Sequence, residues 1–151
     1  MDLSAQSKPQ IGRANGAFAV LVPLGVLFWA LGVVLLRALT AAGWLAGDGW
    51  HWLAYALIVL LTVPAVRLGR RAARLPIDRT LYAVTVMSMT ALFIDGIVIG
   101  FAPWIYATDP AQARAAAGAL LWGVAVALAL GMAMERRAQR RSACQPRGNV
   151  A

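Results

Sequence analysis

Residues 17–36, AFAVLVPLGVLFWALGVVLL, run for twenty positions without a charge. About 20 helical residues at 1.5 Å each cross the ~30 Å hydrocarbon core of a bilayer. Three more apolar stretches follow, at about residues 50–66, 80–106 and 114–134. Hydrocarbon offers no hydrogen bonds, so each crossing segment must satisfy its own backbone, and a helix is the form that does so. The expected fold class is therefore all-α: a four-transmembrane-helix bundle over residues 17–134, with helices at about 17–39, 50–66, 80–106 and 114–134. A cleaved secretory signal has an apolar region of about 7–15 residues, shorter than this first run. LTAAG at 39–43 would be its cleavage site. An uncleaved first helix is the reading taken.

Composition agrees with lipid as the solvent. Only 13% of the 151 residues are charged and 61% are hydrophobic, against roughly 25% charged in soluble domains. The formal charge of +8 would otherwise suggest nucleic acid. Its placement argues against that partner. Twelve of the fourteen basic residues lie in three short segments: Lys8 and Arg13; Arg67, Arg70, Arg71, Arg74 and Arg79; and Arg136, Arg137, Arg140, Arg141 and Arg147. Apolar runs separate the segments, as positive-inside charges that fix topology would be separated.

That pattern predicts both termini in the cytoplasm, with an amino-terminal arm (1–16), a basic loop (67–79) and a loose basic tail (135–151) on one side. Trp44, Trp50, Trp52, Trp104 and Tyr106 fall at the other side, where an outer aromatic belt is expected. The partners implied are the lipid bilayer itself, anionic lipid head groups at the basic segments, and a homo-oligomer or a second membrane protein. Topogenic charge is the simpler use of the basic segments. Cys144 stands alone in the tail, so no internal disulfide can form.

Two ionisable side chains lie at membrane depth, Arg37 near the end of helix one and Asp95 within helix three. Each costs roughly 2.5–3.5 kcal/mol at a helix centre, so neither should meet lipid unpaired. Counted from the inner boundary they sit about 30 Å and 21 Å deep. A bent Arg side chain closes most of that gap, which predicts an Arg37–Asp95 ion pair between helices one and three. The pair could be a packing clamp. Alternatively Asp95 is a proton or cation site tuned by Arg37. Ser88 and Ala91 share the face of Asp95.

Small residues mark two packing surfaces. Gly96 and Gly100 form a GxxxG in helix three, and Ala115, Ala119, Gly123, Ala127 and Gly131 recur every four residues in helix four. The ridge on helix four is expected to pack within the chain, with homodimerisation as the other use. HExxH, CxxC, GxSxG and GxxxxGK[ST] are all missing, and Glu135 is the one glutamate. His51 lies between Trp50 and Trp52 at the interface. No metal, cofactor or enzymatic reaction is expected.

FWALGVVLLRAL (28–39), MTALFIDGIVIGFAPWIY (89–106) and AGALLWGVAVAL (117–128) resemble a bacterial family of small four-helix membrane proteins catalogued only as a domain of unknown function. The resemblance rests on Arg37, on Asp95 followed by Pro103, and on Trp122. It implies the same fold and a bacterial inner-membrane location, and it lends no activity. The function expected is structural, interacting or accessory. The alternative is a small oligomeric proton- or cation-coupled transporter that uses Asp95.

Overall fold

The computed structural model describes residues 8–45 and 51–143, with side chains over 16–45 and 51–142. Four helices account for most of it: α1 (Lys8–Ala41), α2 (His51–Ala72), α3 (Thr80–Phe101) and α4 (Pro110–Ala143). All four are long and apolar enough to cross a membrane. Short 3₁₀ turns at Ile77–Arg79 and Pro103–Ile105 flank α3. The chain is an all-α four-helix bundle.

Helix ends differ from the expected ones for local reasons. α1 begins at Lys8, within the expected loose arm, and α2 continues to Ala72, through half of the expected basic loop. α4 runs to Ala143, so Glu135, Arg136, Arg137, Arg140 and Arg141 are helical rather than part of a loose tail. Ala, Arg, Gln and Glu are strong helix formers, and hydropathy marks only the part of a helix that lipid surrounds. Cys144, Arg147 and Trp50 lie outside the described residues. α3 stops at Phe101, short of Tyr106, because Ala102 precedes Pro103 and leaves the helical region. α4 starts where Asp109 accepts from the Ala111 N–H at 3.2 Å and Pro110 takes the first helical position. α1 ends on Gly43 at φ +75°, with the Trp44 N–H returning to the Leu39 carbonyl at 3.0 Å.

The packing is not that of a square bundle. α1 lies most extensively on α3, α3 on α4, and α2 on α4, while α1 and α2 barely meet. Gly25 explains the first contact. A Cβ there would come within 2.9 Å of Thr90 Cβ and 3.0 Å of the Met87 carbonyl oxygen. Only a glycine lets α1 approach α3 this closely. Parts of the ridge on α4 meet other helices: Ala119 is fully buried, and Gly123 and Gly131 face Ile58 and Leu81, while Ala115 and Ala127 are half-buried. Gly96 and Gly100 behave otherwise, being exposed with nothing near them, so the expected GxxxG packing is not made among the described residues. At the basic end, Glu135 accepts the Leu81 N–H at 3.2 Å and ties α4 to the first turn of α3, where amides lack partners.

Gly25 and Gly69 give a paired test. Either change to Ala gains about 1 kcal/mol of helix propensity. At Gly25 the obstacle is backbone, and overpacking of about 1–3 kcal/mol outweighs that gain. At Gly69 the new methyl crowds the Met87 thioether end, at 2.5 Å from Cε, and meets the Phe28 ring at an ordinary 3.9 Å, and a Met side chain yields easily. Gly25→Ala should lower stability by about 1–2 kcal/mol in detergent unfolding titrations, with Gly69→Ala near neutral.

Candidate functional site

Asp95 is buried, 2% exposed, in the half of α3 nearer the aromatic end. Its partners are not those the sequence suggests. The Trp29 indole Nε1 donates to Oδ1 at 2.7 Å, and the Tyr106 hydroxyl donates to the same oxygen. Trp29 Nε1 also lies 3.3 Å from the Tyr106 hydroxyl, closing a three-membered cluster across α1, α3 and the turn after α3. The second oxygen, Oδ2, is buried without a hydrogen-bond partner among the described residues.

Arg37 does not reach Asp95. Its Nη1 donates to the Ile105 carbonyl at 2.9 Å and is 3.5 Å from the Trp104 carbonyl. The register explains this. Gly25 lies against Met87 and Trp29 against Asp95, so Arg37, eight residues beyond Trp29, stands about 12 Å further along the axis. The expected Arg37–Asp95 pair is therefore replaced by two separate arrangements. Arg37 is exposed and satisfies carbonyls of the 3₁₀ turn. By fixing Ile105, it also fixes the neighbour of Tyr106.

Tyr106 is likewise misplaced by an interfacial reading, being 2% exposed where Trp52 and Trp104 are each 61% exposed. Pro103 turns the chain back over the end of α3, and the phenol is carried inward. Burial, then its hydrogen bond to Asp95, holds the Tyr106 phenol above its ordinary range, so it remains a donor. Trp29 had a signal in the sequence. An indole N–H in mid-span needs an acceptor, and Asp95 is the acidic residue within an apolar span. Tyr106 had none that distinguished it from its interfacial neighbours.

Asp95 borders a cleft of about 820 Å³ between α1 and α2, floored by α3 and α4. This lies within the ~300–1,000 Å³ range of small-molecule sites. Ser88 and Ala91 line the same cleft, as their shared face requires. Its walls are mainly apolar, and Gly25, Gly32 and Gly123 keep them smooth. Arg67 and Arg71 line it at the basic end, and Asp95 is its one acid among the described residues. Along α2 the lining runs from Ile58 to Arg71, about 20 Å at 1.5 Å per residue. Trp122 lies to one side, its ring 5.9 Å from that of Tyr55.

The cluster makes unequal demands on its members. Trp29→Phe and Tyr106→Phe each remove a donor from a buried oxygen and should cost about 1–3 kcal/mol. Asp95→Asn keeps an acceptor at Oδ1 and should cost less than either. Trp29→Phe and Asp95→Ala should couple by at least about 0.5 kcal/mol, and Arg37→Gln with Asp95→Ala by less. Unfolding titrations of the single and double variants measure both terms. Stronger coupling of Arg37 than of Trp29 to Asp95 would restore the ion pair.

Comparison with protein-family models, with curated proteins and with solved structures found no match to this chain.

Proposed function

We propose that this chain is a multi-pass protein of the bacterial cytoplasmic membrane, with both ends in the cytoplasm. We further propose that its cleft binds a small lipophilic cation in exchange for a proton, with Asp95 as the charge-bearing residue of a coupled carrier. The placement is supported by the basic residues that gather at one end of the bundle, including Arg67, Arg71, Arg136 and Arg137, and by Trp52 and Trp104 at the other. The bacterial assignment follows the family resemblance alone.

One observation carries the carrier reading. Asp95 spends one oxygen on the fold and leaves the other buried without a partner among the described residues, while the residue itself borders an apolar cleft. A packing clamp needs only the first oxygen. Intramembrane acids of this kind mark ion and substrate pathways. Four helices rarely enclose a complete pathway, so the carrier works as an oligomer.

A second reading, a structural or accessory protein that holds a partner helix, is favoured by the outer face of α3. Phe93, Ile97 and Phe101 are 70%, 62% and 80% exposed beside the empty surface of Gly96 and Gly100. Uptake of tetraphenylphosphonium into proteoliposomes under a pH gradient separates the two. The carrier reading expects uptake that falls at least tenfold in Asp95→Asn and persists in Gly96→Leu. Uptake unaffected by Asp95→Asn overturns it. Loss of a co-purifying partner in Gly96→Leu, with no uptake by the unmodified protein, establishes the accessory role instead.

A further inference from the structure

The cleft has two ends of different chemistry, and only one belongs to Asp95. At the other, Arg67 and Arg71 line the opening where α2 leaves the apolar region. Four residues apart on a helix, they share one face, about 5–6 Å between Cβ atoms. Like charges at this spacing repel, which disfavours the pair unless an anion lies between them. Both are exposed. Arg70, between them in sequence, is used differently: its Nη1 donates to the Leu75 carbonyl at 3.1 Å and closes the end of α2. The chain thus keeps one arginine for its own turn and leaves two at the mouth of the cleft.

Above these arginines the walls are apolar. Phe28, Leu31 and Gly32 of α1 face Leu61 and Ala65 of α2 across the gap. A group that fits must be anionic at one end and hydrocarbon along its length. It must also be present where the basic end meets lipid. Basic pockets between helices on the cytoplasmic side of a membrane hold anionic lipid head groups, each basic residue adding about 1 kcal/mol of attraction.

We propose that the inner end of the cleft is a binding site for one anionic phospholipid, its phosphate held between Arg67 and Arg71 and an acyl chain lying between α1 and α2. The site rests on the membrane placement of the basic end and not on Asp95. The lipid and the cation share a cleft but not a charged group. Arg67 and Arg71 therefore do more than fix topology, whereas Arg74 and Arg136, which do not line the cleft, serve topology alone.

Lipid retention tests this directly. The protein is purified in mild detergent, exchanged into mixed micelles carrying phosphatidylglycerol or phosphatidylcholine, and its bound lipid measured by native mass spectrometry. Two arginines at about 1 kcal/mol each correspond to roughly a thirtyfold preference for phosphatidylglycerol. Arg67→Gln with Arg71→Gln should bring the preference near unity, and Arg67→Lys with Arg71→Lys should retain most of it. Arg74→Gln with Arg136→Gln should leave it unchanged. Gly32→Leu fills the cleft at a position with open space around it and should reduce retention of both lipids, while Asp95→Asn should leave retention intact. Equal retention of the two lipids by the unmodified protein overturns the proposal. So does a preference that survives loss of Arg67 and Arg71, or one that falls equally with Arg74 and Arg136. Failure here with cation uptake intact leaves the carrier reading standing, and the converse holds as well.

Discussion

The close approach of α1 to α3 at Gly25 governs the arrangement of the whole bundle. Because α1 lies against α3, with a glycine facing the Met87 backbone, it is drawn away from α2. In a simple up-down bundle, helices adjacent in sequence pack side by side. Here the pair that would be diagonal is the tight one, and the gap between α1 and α2 becomes the cleft. The same approach sets the register that brings Trp29 level with Asp95 and carries Arg37 beyond it. A missing side chain on one helix thus decides which polar groups meet on two others.

Burying a carboxyl group among apolar helices is costly unless its oxygens are bonded. The bundle meets that cost with an indole and a phenol rather than a guanidinium. Both donors are largely apolar rings that pack in hydrocarbon and present one polar atom. They converge on one oxygen from α1 and from the turn after α3, so the hydrogen bonds also pin α1 and that turn to α3. Arg37 completes the arrangement from outside by holding that turn through its carbonyls. The charged pair foreseen from depth alone is replaced by a neutral-donor cluster braced by a nearby cation.

Hydropathy made the four helices and their order legible, since lipid imposes a length and an internal hydrogen-bond rule that few sequences meet by chance. Helix ends in water were less legible, because ERRAQRRSA is as good a helix as a tail and carries no apolar signal. Asp95 stood out through its cost. Its partners did not, for two reasons. Counting residues from a presumed boundary assigned depths with an error comparable to the length of an Arg side chain, and it took no account of close packing at Gly25. Tyr106 depended on Pro103 reversing the chain, a matter of turn geometry that residue spacing does not encode. The small-residue ridge of α4 was visible, and Gly123 and Gly131 in it lie against Ile58 and Leu81, whereas Gly96 and Gly100 of the GxxxG in α3 have nothing near them among the described residues.

The length of α4 carries a consequence for how its charge is felt. Glu135 is level with the first turn of α3, and the helix continues to Ala143. Arg141 therefore stands about 9 Å further out along the axis. That is close to one Debye length at 0.1 M salt, roughly 10 Å. Ionic strength near the cellular value thus weakens any attraction between the far arginines of α4 and charges level with the first turn of α3. Net charge alone is therefore a poor measure of the field this chain presents at its basic end, and added salt should erode the contribution of α4 before that of α2.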